Sequence, residues 1–141
     1  MRAAKTLIAA LACLAAALAA AEAEGIGVAA PLSGPAEPLG RQVEAGAGLA
    51  ASAGGVELVV ADDACSAQGG ADAARKFAAA KVGIVVGFLC TEAIEAALPI
   101  LKDAGIAVIT PGVRTESLTD QREKTGWPVF RAGPRADAER N

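Results

Sequence analysis

Five short apolar runs, each separated from the next by a helical pattern, constrain this chain more than any other feature. The runs are residues 25–30, stopped by Pro31; 56–61, stopped by Asp62 and Asp63; 82–88; 106–109, stopped by Thr110 and Pro111; and a short fifth at 129–131. Continuous apolar runs bounded by turn residues read as strands covered on both faces. Between them, Val43, Ala47, Ala50 and Ala51 share one face of a helix predicted over 39–52. Ala71, Ala74, Phe77 and Ala78 do the same over 67–80. Ile94, Ala97, Leu98 and Leu101 give the clearest stripe, over 92–103,. Pro99 lies inside that last helix and is expected to kink it, because it removes the bond to the Glu95 carbonyl. A strand–helix–strand rhythm makes right-handed βαβ units, so the predicted class is α/β: a parallel sheet with flanking helices.

Composition narrows the chemistry. Alanine fills 37 of 141 positions, so the helices bury little area each and the core is thin,. The chain has no histidine, which excludes a His-based triad, a His general base and a His metal site,. Net charge is −3, from 13 basic and 16 acidic residues with no basic block, which argues against a nucleic-acid partner,. Asp62 and Asp63 have no third ligand nearby and read as turn and cap residues rather than a metal or acid–base site. Cys90 as a nucleophile lacks a base. Gly25-x-Gly27 lies within a strand rather than after one, so neither a dinucleotide fingerprint nor a P-loop is present. The reading is therefore a non-enzyme without cofactor or metal. A small exported α/β enzyme, hydrolase-like or oxidoreductase, is the alternative that needs a nucleophile–base pair or a cofactor fingerprint.

The first 23 residues read as a secretory signal peptide. Arg2 and Lys5 precede an uncharged stretch over 6–21 of about 16 residues, against about 20 for a membrane span, and Ala21-Glu22-Ala23 offers a cleavage site,. Cys13 falls inside that stretch and belongs to it; a retained anchor helix is the competing reading. The domain then runs 24–141. It holds two cysteines, Cys65 and Cys90, and export to an oxidising compartment favours their pairing over two buried thiols,. Such a bridge closes a loop of about 24 residues and contributes roughly 3 kcal/mol.

Four loops leave the carboxyl ends of the strands, where open parallel sheets bind ligands. They are 31–40, 62–66, 87–91 and 110–115. Thr91 is expected to cap the helix over 92–103, whose open N–H groups suit a carboxylate. Arg114 and Thr115 offer a charged fork and a hydroxyl one loop further along. The plain alternatives are an ordinary helix cap and a solvated loop cation. Trp127 either lines a site or packs.

The ordered set Ile26-Gly-Val-Ala-Ala-Pro-Leu-Ser-Gly-Pro35, Asp62-Asp-Ala-Cys65, Gly87-Phe-Leu-Cys90-Thr91 and Ile109-Thr-Pro111 resembles the periplasmic solute-binding proteins of branched-chain amino acid ABC importers, the Leu/Ile/Val-binding family of type I fold. The resemblance implies two α/β lobes on a hinge that clamp a small amino-acid-like ligand and deliver it to an ABC permease in the inner membrane. It implies a monomer in the periplasm and a Cys65–Cys90 disulfide. It gives Thr91 the ligand α-carboxylate, the loop from Gly112 to Arg114 and Thr115 further carboxylate and ammonium contacts, and Leu39 the side-chain pocket. A ligand-sensing ectodomain of the same fold is the other alternative, and it needs a membrane span or signalling domain downstream.

Two departures bear on the ligand. The family often has an aromatic residue where Leu39 stands, and Gly112-Val113-Arg114-Thr115 replaces a small-small-Thr stretch, which favours an acidic or amide ligand over leucine. The resemblance ends about where the first hinge strand enters the second lobe. The expectation is thus a first lobe, incomplete, offering half of a clamp.

Overall fold

A computed structural model describes residues 25–140. The expected signal peptide over 1–23 lies outside the described residues. The elements in chain order are β1 (Ile26–Ala30), α1 (Glu37–Gly54), β2 (Leu58–Asp62), α2 (Ala67–Ala79), β3 (Ile84–Gly87), α3 (Thr91–Asp103), β4 (Ala107–Thr110), α4 (Ser117–Asp120), α5 (Arg122–Thr125), β5 (Val129–Arg131) and a 3-10 helix at Ala136–Arg140. The five strands form one parallel sheet in the order β2-β1-β3-β4-β5. The α/β class expected from the sequence is what the chain adopts.

Strand register sorts the side chains. Gly27 pairs with Val59 and Val85, Val85 with Val108, and Val108 with Val129, so these share a face. That face is dry: Ala29, Val85, Val108 and Val129 are fully buried, in one core with Ala73, Ala74 and Phe77 of α2 and Ala93, Ile94, Ala97, Leu98 and Leu101 of α3. The predicted α3 stripe is buried throughout. Gly70 lets α2 lie on α3, since a Cβ there would collide with the Ala93 backbone. Gly27 leaves room for the Phe77 ring.

The opposite face carries Ile26, Val28, Ala30, Leu58, Val60, Ile84, Val86, Ala107, Ile109 and Phe130, of which Val28 and Ala30 are fully buried. Helix α1 packs against β1 and β2 on this side, and a groove of about 450 Å³ remains between α1 and Ile26, Leu58 and Val86. Ile84, Val86 and Ile109 are half-buried, and Phe130 is exposed beneath the Arg122 guanidinium. Of the predicted inner face of α1, Ala51 is buried while Ala50 is exposed. Alanines on every side of that helix give periodicity little to distinguish.

Two expectations need correction. Helix α1 starts at Glu37 with Pro38 in its first turn, two residues before the predicted start at Leu39, so the loop after β1 ends at Ala36 rather than at Gly40,. Cys90, extended at φ −121°, occupies the cap position of α3, and Thr91 is its first helical residue. Its hydroxyl is thereby released from capping. Helix α3 continues for a turn beyond Pro99, which sits on its exposed side, where water can satisfy the Glu95 carbonyl,.

Candidate functional site

The chain leaves β1 for β2 on one side and returns to β3 on the other, so the order reverses between β1 and β3. Beyond the carboxyl ends of those strands lies the crevice where this architecture binds ligands. Bonds between successive loops build its rim. The Asp62 carboxylate accepts from Leu32 N–H and Ala64 N–H, both at 2.8 Å, joining the loops after β1 and β2. Ala64 and Cys65 adopt left-handed backbone, at φ 47° and 50°, and Asp63 Oδ1 steadies that turn by accepting from Cys65 N–H at 2.9 Å. The turn delivers Cys65 to Cys90, and the two form a disulfide with Cα atoms 5.2 Å apart. This joins the loops after β2 and β3. Buried Thr110 donates to the Phe88 carbonyl at 2.9 Å and accepts from Val113 N–H at 3.1 Å, joining the loops after β3 and β4.

Two features result. Thr91 and Thr115, 24 residues apart in sequence, place their hydroxyl oxygens 2.9 Å apart. Beside the same loop, Leu39, Gln42, Val43, Leu89 and Gly112 line an open cleft of about 420 Å³. Gly112 is needed there, because a Cβ would stand 2.5 Å from Leu89 Cδ2. Of the five predicted ligand residues, Leu39 and Gly112 thus meet in one cleft, and Thr91 and Thr115 meet in one hydroxyl pair. Arg114 turns the other way: its guanidinium donates to the Pro134 carbonyl at 3.3 Å and the Arg135 carbonyl at 3.2 Å.

Gln42, Val43 and Leu89 escaped sequence reasoning. The signal was present for the first two, since Leu39, Gln42 and Val43 stand at i, i+3 and i+4 and share a helix face once Leu39 is placed on the helix. Nothing local marked Leu89.

The paired aspartates titrate apart. Burial pushes the Asp62 carboxyl up, but hydrogen bonds from Ser33, Leu32 and Ala64 outweigh it and hold the group below its ordinary value. Burial drives Asp63 above its ordinary value, opposed by the Cys65 N–H and assisted by the Asp62 charge. Asp62 therefore stabilises the fold above its unfolded value, and that contribution is lost as pH falls through the lowered native one. For Asp63 the sign is opposite: its contribution is full below the unfolded value and is lost as pH rises through the raised native one. Asp63→Asn is accordingly expected to flatten the decline in stability above the ordinary carboxyl range, as checked by urea unfolding at a series of pH values.

A parallel sheet whose switch-point loops carry a hydroxyl pair and an open cleft has the layout in which open α/β sheets take ligands. A family model for periplasmic binding protein matches residues 25–140, and the chain belongs to that family. It is 33% identical over 108 residues to the leucine-, isoleucine-, valine-, threonine- and alanine-binding protein of Pseudomonas aeruginosa, covering 70% of this chain and 29% of that protein. It is 31% identical over 121 residues to Leu/Ile/Val-binding protein homolog 1 of Brucella suis, covering 79% of this chain and 32% of that one. Among solved structures, the branched-chain amino acid transporter substrate-binding protein LivJ of Streptococcus pneumoniae, in complex with isoleucine, superposes with a TM-score of 0.68 at 25% identity. That match covers 78% of this chain and 33% of LivJ. The leucine-binding protein LivK of Thermotoga maritima gives a TM-score of 0.66 at 27% identity, covering 78% of this chain and 32% of LivK. The chain spans 29–32% of the length of the two curated relatives.

Proposed function

We propose that residues 24–141 form part of the first lobe of a periplasmic solute receptor, exported by the signal segment over 1–23. Its ligand is an amino acid or related small zwitterion, captured by its carboxylate and passed to an ABC permease in the inner membrane. The Thr91–Thr115 hydroxyl pair at the switch point is the observation that carries this reading. Two hydroxyls that meet only each other can turn outward and donate to a carboxylate, assisted by the open N–H groups of the first turn of α3. The cleft past Leu39, Val43 and Leu89 suits an apolar ligand body, and Gln42 adds one amide to its wall. The leucine, isoleucine and valine for which these relatives are named agree with such a ligand. Closure of a second lobe on a hinge would exclude water and tighten the grip. The receptor is read as a monomer that binds without catalysis.

Arg114 is proposed as the charged contact. A guanidinium–carboxylate pair is a charge-assisted contact, so a ligand carboxylate can compete for Arg114 against the Pro134 and Arg135 carbonyls,. The test is titration of the protein with L-isoleucine and with 2-methylbutylamine, which keeps the side chain and amine but lacks the carboxylate. Isoleucine is expected to bind weakly, as a half-site open to water allows, and the amine not to bind. Thr91→Val and Thr115→Val should each weaken isoleucine by about 1 kcal/mol, and Arg114→Ala by about 1.5–3 kcal/mol. Equal response to both compounds would refute carboxylate capture.

A further inference from the structure

We infer that Arg131 is a positioning residue for the binding rim, holding the loop that presents Thr115 to Thr91; this rests on the reading of those hydroxyls as the carboxylate contact. Arg131 ends β5, in register with Thr110 of β4, so its backbone is fixed by the sheet. Its Nη1 donates to the Arg114 carbonyl at 3.2 Å. Its Nη2 donates to the Thr115 carbonyl at 2.9 Å and to Thr119 Oγ1 at 3.0 Å. One cation thus gathers two consecutive loop carbonyls and the following short helix.

The segment from Pro111 to Thr115 has no helix or strand bonding of its own. Side chains therefore help to place it, together with one backbone bond from Ala136 N–H to the Arg114 carbonyl at 3.3 Å. Thr110 holds the near end through Val113 N–H, and Arg131 holds the far end. Between those anchors the Thr115 hydroxyl lies 2.9 Å from that of Thr91. Lysine cannot reproduce this arrangement, because the guanidinium presents separated donors in a planar fork whereas an ammonium is a point. Nothing near Arg131 balances this role in sequence: it lies 16 residues from Thr115 and belongs to no motif.

The experiment uses the 141-residue protein with labelled threonine methyl groups. Two quantities are read: the NOE between the Thr91 and Thr115 methyls without ligand, and the affinity for L-isoleucine. Arg131→Met is expected to abolish the NOE and weaken isoleucine by about tenfold or more, with Arg131→Lys recovering part of both. Val85→Ala, which loosens the core away from the rim, is expected to lower thermal stability while leaving the NOE intact. If Arg131→Met does not fold, Thr119→Val, which deletes one acceptor, is expected to weaken the NOE in a folded protein. Wild-type NOE and affinity in folded Arg131→Met, or a wild-type NOE in both Thr119→Val and Arg131→Lys, would overturn the inference. Loss of the NOE in Val85→Ala as well would overturn it too, by making the effect one of general stability. A wild-type protein that shows the NOE but ignores isoleucine would instead sink the ligand reading, and the NOE comparison would still decide what Arg131 does.

Discussion

Replacing Phe77 with alanine is expected to remove about 3–5 kcal/mol of stability, the largest loss from any single substitution considered for this chain. Phe77 is fully buried between α2 and the sheet, with its ring against the glycine at position 27. Of the seven other buried core residues on α2 and α3, four are alanines: Ala73, Ala74, Ala93 and Ala97. Such side chains have no length with which to fill the void, so the cavity term adds to the lost transfer energy. A domain of this size has about 5–15 kcal/mol in all, and Phe77→Ala should sit near the edge of folding. Phe130→Ala provides the contrast: that ring is 50% exposed with Arg122 over it, and its loss is expected to matter little. Urea denaturation of both variants checks the difference, and similar midpoints would contradict the placement of the core on one face of the sheet.

The second large effect concerns the disulfide. Cys65→Ser combined with Cys90→Ser is expected to lower stability by about 3 kcal/mol, because a bridge between residues 25 apart restrains the unfolded chain,. Reduction of the wild-type protein should give the same midpoint as the double variant, and thiol labelling of the denatured, unreduced protein should find both cysteines blocked. The loss reaches the site as well. Cys90 holds the start of α3 in extended conformation immediately before Thr91, and Cys65 carries the loop that Asp62 ties to Leu32. Unchanged midpoints on reduction would show that the loops after β2 and β3 need no covalent tie.

How much of this was legible in the sequence depended on range. Strands announced themselves because 84–87 and 107–110 are apolar and stopped by turn residues, and α3 because Ile94, Ala97, Leu98 and Leu101 repeat at helical spacing. The cysteine pair was legible from count and compartment. The start of α1 was placed two residues late because a Pro- and Gly-rich stretch reads as loop, although proline is well accommodated in the first turn of a helix,. Thr91 was read as a cap because threonine suits that position; the extended backbone at Cys90, one residue earlier, claimed it instead. Helices α4 and α5 are too short to show a period,. The role of Arg131 and the lining by Leu89 arise from contacts across the sheet, which no local pattern encodes.

The amide shift map of the isoleucine titration tests the central claim most directly. If the switch-point loops form one receptor rim, the perturbed amides will be those at Leu39, Thr91, Gly112 and Thr115, and 2-methylbutylamine will leave them still. Shifts centred elsewhere, such as along the groove beneath α1, or the same map from both compounds, would contradict it.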